Sequence, residues 1–133
     1  MKWYIHVLNN YVNFEGRARR EEYWMFTLFH LIFIFLLVII PIALFDSPLG
    51  TLPVLIYFLA TFLPTLAVTI RRLHDTGKSG WFYLITFIPY LGGLILLIFT
   101  VENGNKGQNK YGPDPKGRND EEIEDIGKPI LDN

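Results

Sequence analysis

Residues 24–45 read WMFTLFHLIFIFLLVIIPIALF and contain no Asp, Glu, Lys or Arg. Two further uncharged apolar runs of similar length follow at residues 49–70 and 81–101. About 20 helical residues cross a hydrocarbon core roughly 30 Å thick, so each run is long enough to span a bilayer. The chain is therefore predicted to be an all-α membrane protein with three transmembrane helices.

The composition agrees with a membrane location. Hydrophobic residues make up 50% of the chain, whereas Lys and Arg are confined to the segments outside the apolar runs. Cys is absent, which excludes disulfides and thiolate chemistry. The sequence predicts one membrane domain over residues 1–115. It also predicts a mobile, disordered tail over residues 116–133, which are acidic and poor in apolar side chains.

The first 14 residues predict a short amphipathic helix that lies in the membrane interface. Trp3, Tyr4, Val7 and Tyr11 recur at helical spacing, with polar residues between them. Trp and Tyr suit the headgroup layer because each combines an apolar ring with a polar tip. A terminus that packs on the protein itself is the alternative.

The distribution of positive charge predicts the orientation. Four Lys and Arg precede the first run, none lies in the turn at 46–48, and three follow the second run. The positive-inside rule therefore places the N-terminus in the cytoplasm. Three spans would leave the five Lys and Arg of the C-terminal segment outside, against the same rule. Pro89, Gly92 and Gly93 interrupt the third run, so a kinked helix or a re-entrant hairpin is the alternative.

A basic cytoplasmic face is the predicted working surface. Three Arg at the start of a helix oppose its dipole, so helix energetics do not explain them. Two other causes explain them: retention in the cytoplasm beside anionic lipid headgroups, or pairing with acidic side chains. The candidate binding residues all flank the apolar runs: Arg17, Arg19, Arg20, Arg71, Arg72 and Lys78.

Three acids near these cations are candidate structural ion-pair partners. Glu21 and Glu22 open the first predicted span, and Asp75 follows the second. The short turn makes the two spans antiparallel neighbours, which brings Glu21 or Glu22 within reach of Arg71 or Arg72. Asp75 is expected to pair with one of the same two arginines or to cap the loop that follows.

His30 is the one ionisable imidazole within an apolar run. A hydrogen bond from one helix to another is its expected role. A functional polar group at membrane depth is the alternative, since such groups also mark transport pathways.

No catalytic, cofactor, metal or nucleic-acid site is predicted. Gly77-Lys78-Ser79 ends like a phosphate-binding loop, but Arg72 stands where that motif needs a glycine. The three histidines are dispersed, without the spacing of metal ligands. The predicted function is a non-enzymatic membrane component that interacts with lipid or protein, including a second copy of itself or another membrane protein. An oligomeric channel or carrier for a small solute is the alternative.

Three polar motifs carry a resemblance to a known family. They read FEGRARREEYW at residues 14–24, RRLHDTGKSGW at 71–81 and NKYGPDP at 109–115. Their order around three apolar runs resembles the bacterial membrane protein family called domain of unknown function 805, over about residues 3–117. The resemblance implies a small bacterial inner membrane protein and no established activity. Residues 118–133 lie beyond the pattern, so the acidic end is expected to be specific to this chain.

Overall fold

A computed structural model describes residues 2–44 and 52–117 of the chain. The described residues are all-helical and contain no β-strand, which confirms the all-α part of the predicted fold class. In chain order the helices are α1 (Lys2–Asn9), α2 (Arg20–Leu44), α3 (Leu52–Asp75), a 3-10 helix (Gly80–Phe87) and α4 (Gly92–Val101). The turn at 46–48 and nearly all of the predicted mobile tail lie outside the described residues.

Helices α2 and α3 contain residues 24–44 and 52–70 of the first two apolar runs. They have 25 and 24 residues, and both are long and apolar enough to cross a membrane. Their outward side chains are exposed: Phe35 by 62%, Ile42 by 69% and Ile56 by 66%. Contiguous apolar surface of this kind suits lipid rather than water. Both helices also extend beyond the apolar runs, so Arg20 and Asp75 become helix ends.

The third apolar run forms two short helices instead of one long helix. The 3-10 helix and α4 are joined by residues 88–91, where Tyr90 has φ 65°. The rings of Phe82 and Phe99 lie 5.8 Å apart, centroid to centroid, so the two arms pack on each other. At rises of ~2.0 and ~1.5 Å per residue, the arms are only ~16 and ~15 Å long. The third membrane span is therefore not confirmed. We call Gly80–Val101 the hairpin.

The described chain divides into two compact units. The first unit comprises residues 2–14, 21–44 and 52–69, and the second comprises residues 15–20 and 70–117. The single domain predicted over residues 1–115 stays a prediction.

In the first unit, α1 packs on α2 through one side. Tyr4 and Val7 are buried, and the Tyr4 ring stacks on Phe26 at 5.2 Å and approaches Phe33 at 5.4 Å. On the other side, Ile5 remains exposed. These contacts are those expected of a terminus that packs on the protein. An interfacial location for the exposed side stays a prediction.

Candidate functional site

The second unit is built around two arginines that share one carboxylate. Arg72 and Asp75 stand three residues apart in the last turn of α3, on one face of the helix. Arg17 comes from the segment just before α2, and its Nε donates to Asp75 Oδ1 at 2.9 Å. Arg72 Nη1 donates to the other oxygen, Oδ2. All three side chains are buried, and we call them the arginine–aspartate cluster.

The remaining donors of the two arginines bind backbone carbonyls. Arg17 Nη1 donates to the carbonyl of Gly107 at 2.6 Å, and Arg72 Nε donates to that of Thr100 at 3.0 Å. Such charge-assisted bonds are stronger than neutral ones. Further bonds reach the carbonyls of Ala18, Glu102 and Asn105. The arginines therefore hold the chain that follows α4 against the end of α3.

Gly104 permits the close approach of this chain to Asp75. A Cβ atom at residue 104 would lie 2.0 Å from Asp75 Oδ2, which no real contact allows. The Asn105 N–H donates to the Asp75 carbonyl at 2.8 Å, so the backbone is held at this distance. Sequence reasoning missed Gly104, since glycine in a polar stretch after an apolar run signals only a turn.

The third polar motif packs on the second through an aromatic pair. The rings of His74 and Tyr111 stack with centroids 3.8 Å apart and planes within 4°. The side-chain amide of Asn109 donates to the His74 carbonyl at 2.9 Å. His74 Nδ1 lies 3.1 Å from the Gly16 carbonyl, to which it donates. Residues of all three polar motifs therefore meet within this one unit.

His74 lies beyond the apolar run that ends at Ile70, and its pKa is lowered. Burial is the main cause, and the positive charge of Lys110 acts in the same direction. The bond to the Gly16 carbonyl opposes both effects. The imidazole is therefore held in its neutral form.

Acidification below about pH 6.5 should destabilise the protein through His74. Because the pKa is lower in the folded state, the unfolded chain takes up the proton first as the pH falls. The stability that neutral His74 contributes is present above ~6.5 and is lost as the pH falls through the lowered value. Thermal unfolding of the wild type and His74→Gln from about pH 8 to about pH 5 checks this. Parallel curves for the two proteins would contradict it.

The six predicted binding cations fall into two groups. Arg17, Arg71 and Arg72 are 9%, 4% and 0% exposed, so they lie within the protein. The other three are partly exposed: Arg19, Arg20 and Lys78. Arg20 Nη1 donates to Asn103 Oδ1 at 2.8 Å, and Lys78 Nζ lies 2.5 Å from Glu102 Oε2. Three more exposed cations of the second unit were left out of the predicted face because they follow the third run: Lys106, Lys110 and Lys116.

The predicted acids occupy different surroundings. Asp75 pairs with Arg17 and Arg72, as described above. In the first unit, Glu22 is 4% exposed, and its Oε1 lies 3.8 Å from His6 Nε2. Glu21 is exposed. The expected pairing of either glutamate with Arg71 or Arg72 stays a prediction.

His30 joins two helices of the first unit. Its Nδ1 lies 3.0 Å from the hydroxyl of Tyr57, on α3, and the two rings stack at 5.4 Å. The Tyr57 hydroxyl lies 2.9 Å from that of Tyr4, on α1. The three side chains form a hydrogen-bonded chain across three helices. Among the described residues, no group of His, Asp and Glu is placed to hold a metal ion.

The comparison with known proteins agrees with the three-motif pattern. The model of the family described as "Protein of unknown function (DUF805)" matches residues 11–113. Inner membrane protein YhaI of Escherichia coli (strain K12) is 50% identical over 117 residues, covering 87% of this chain and 97% of that protein. Inner membrane protein YhaH of the same strain is 48% identical over 123 residues, covering 87% and 98%. Uncharacterized protein YiiR, also of that strain, is 30% identical over 128 residues, covering 77% and 85%. No solved structure matches the chain.

Proposed function

Because the chain belongs to the DUF805 family and two of its relatives are named inner membrane proteins, we propose that it is a multi-pass bacterial inner membrane protein with a lipid-binding role. Its second unit binds anionic lipid headgroups at the cytoplasmic surface. This role needs no catalytic group and no cofactor. The distribution of charge in the second unit supports the lipid-binding role.

The observation that carries the proposal is the separation of charge between the two units. The described residues of the second unit include nine Lys and Arg but four Asp and Glu, a net charge of +5. Those of the first unit include Lys2, Glu21 and Glu22, a net charge of −1. Asp75 and Asp114, two of the four acids in the second unit, are buried. Three cations of this unit are buried as well: Arg17, Arg71 and Arg72. The remaining six cations and two acids give its surface a net charge of +4.

The buried and exposed cations have different roles in this proposal. Arg17 and Arg72 hold the segment 100–107, and their two charges meet one carboxylate, so the cluster keeps a net positive charge. The cations that this scaffold presents are the partly exposed Arg19 and Arg20 and the exposed Lys106, Lys110 and Lys116, whereas Lys78 pairs with Glu102. Arg19 Nε donates to the Pro115 carbonyl at 2.5 Å, which brings Arg19 close to the backbone next to Lys116. Cations beside a membrane attract anionic headgroups by ~1 kcal/mol each.

The triple variant Arg19→Gln, Lys106→Gln and Lys110→Gln should weaken binding of anionic phospholipid by ~3 kcal/mol, about 100-fold. The measurement is a titration of the detergent-solubilised protein with phosphatidylglycerol or phosphatidylcholine, followed by native mass spectrometry. Anionic lipid should bind more tightly, and added salt should reduce the difference because it screens the surface.

The matched control is Lys2→Gln, which removes one exposed cation from the first unit. It should change binding less than the single variant Lys106→Gln does. Equal losses would assign the attraction to overall charge instead of this surface. Binding that ignores lipid charge would overturn the proposal.

An oligomeric channel or carrier is the second candidate. The observation that favours it is the row of hydrogen-bonded groups formed by Tyr4, Tyr57 and His30. Polar groups are costly at membrane depth, so their presence there can mark a transport pathway. Solute flux in liposomes that requires His30, together with lipid binding that ignores charge, would promote this candidate.

A further inference from the structure

We propose that the hairpin Gly80–Val101 inserts into the acyl chains of the cytoplasmic leaflet alone, with both of its ends at the cytoplasmic surface. The partner of its exposed apolar surface is thus one half of the bilayer. This inference goes beyond headgroup binding and does not depend on it.

The first argument is that the two ends of the hairpin meet. Lys78, two residues before it, and Glu102, directly after it, form an ion pair with 2.5 Å between Nζ and Oε2. Arg72 binds the carbonyls of Thr100 and Glu102 next to this pair. A segment that crossed the membrane would place its ends ~30 Å apart. These contacts therefore require the chain to leave the membrane on the side where it entered.

The second argument is the length of the arms. Eight residues of 3-10 helix and ten of α-helix measure ~16 and ~15 Å. Half of a hydrocarbon core is ~15 Å thick, so each arm matches one leaflet. The arms meet closely at the turn, where a Cβ on Gly92 would lie 1.9 Å from the carbonyl oxygen of Ile85. The hairpin is therefore a compact insert whose depth is set by the length of its arms.

The third argument is the surface that the hairpin exposes. Residues 79–101 contain no Asp, Glu, Lys or Arg. Phe87 is 76% exposed, Leu91 58% and Tyr90 100%, all at the turn. At the opposite end, Trp81 is 78% exposed and follows Lys78 by three residues, and an indole at the start of the hairpin suits the headgroup layer. Apart from the Tyr90 hydroxyl, the side chains around the turn are apolar and the charges lie at the base, which is the order that a single leaflet presents, from acyl chain to phosphate.

The closing experiment compares two distances in the protein reconstituted in lipid nanodiscs. The sequence contains no Cys, so spin labels attach only at introduced cysteines. The pairs are Lys78→Cys with Glu102→Cys, and Lys78→Cys with Tyr90→Cys. Breaking the exposed ion pair costs only ~0 to 1 kcal/mol, so both double variants should fold.

The hairpin predicts that the 78–102 distance is shorter than the 78–90 distance. A membrane span predicts the reverse order, and that result would overturn the proposal. A second measurement uses an impermeant thiol reagent on intact cells that carry Lys110→Cys. No labelling is expected unless the inner membrane is permeabilised, whereas Asp46→Cys in the predicted outer turn should be labelled directly. Direct labelling at 110 would also overturn the proposal.

Discussion

The variant Asp75→Asn should lose ~3–5 kcal/mol of unfolding free energy, because it leaves two buried guanidinium groups without their carboxylate. The side chains of Arg17 and Arg72 are 1% and 0% exposed, so water cannot solvate their guanidinium groups in place of the Asp75 carboxylate. Chemical unfolding of the detergent-solubilised protein, followed by circular dichroism, measures the loss. The denaturant concentration at the midpoint of unfolding should fall strongly. The binding of zwitterionic lipid to the remaining folded protein should be unchanged.

The matched control for Asp75 is Glu102→Gln. Glu102 also forms an ion pair in the second unit, but its side chain is 53% exposed. Exposed pairs contribute only ~0 to 1 kcal/mol, so this variant should stay close to the wild type. If the two variants lost equal stability, burial of the arginine–aspartate cluster could not be the cause.

Replacing Gly92 with Ala should destabilise the hairpin by about 3 kcal/mol, the upper part of the usual range for overpacking. The added Cβ would lie 1.9 Å from the Ile85 carbonyl oxygen and 2.9 Å from the Thr86 Cα, both backbone atoms. Backbone cannot rotate away as a side chain can, so the two arms must separate. Thermal unfolding in detergent measures the effect.

The adjacent glycine provides the control. A Cβ on Gly93 would meet nothing within 4 Å, and the residue lies in α4. Alanine is favoured over glycine in a helix by ~0.8–1 kcal/mol, so Gly93→Ala should stabilise the protein. The two neighbouring substitutions are therefore expected to have opposite signs. A loss of stability in both would show that α4 tolerates no side chain at its start, for reasons other than the contact with Ile85.

The two long helices could be predicted because their signal is local. Residues 24–45 and 49–70 are mostly apolar and contain no Asp, Glu, Lys or Arg, and each run is long enough to cross a bilayer as one helix. The third run has the same length and composition, yet it folds as a hairpin. The fold of the third run depends on the backbone conformation of Tyr90 and on the close contact between Gly92 and Ile85. A hydropathy profile predicts neither of these features.

The candidate site could be predicted only in part, because its decisive contacts are distant in sequence. The motifs that contain Arg17 and Arg72 were identified from their charge, and charge favours exposure. Their burial depends on carbonyls that α4 and the following loop supply, at Thr100 and Gly107. For His30, a contact between helices was expected, but its partner Tyr57 could not be selected among the polar residues of α3.

The contact between Arg17 and Gly107 sets an order of events during synthesis. The guanidinium enters the nascent chain ninety residues before the carbonyl that it binds. At ~5–20 residues per second, the ribosome needs ~5–18 seconds to supply that partner. Until then Arg17 cannot complete its buried hydrogen bonds, although both long helices have already been made. The second unit is thus completed after translation of the two long helices, and a ribosome that stops before residue 107 leaves Arg17 without the Gly107 carbonyl.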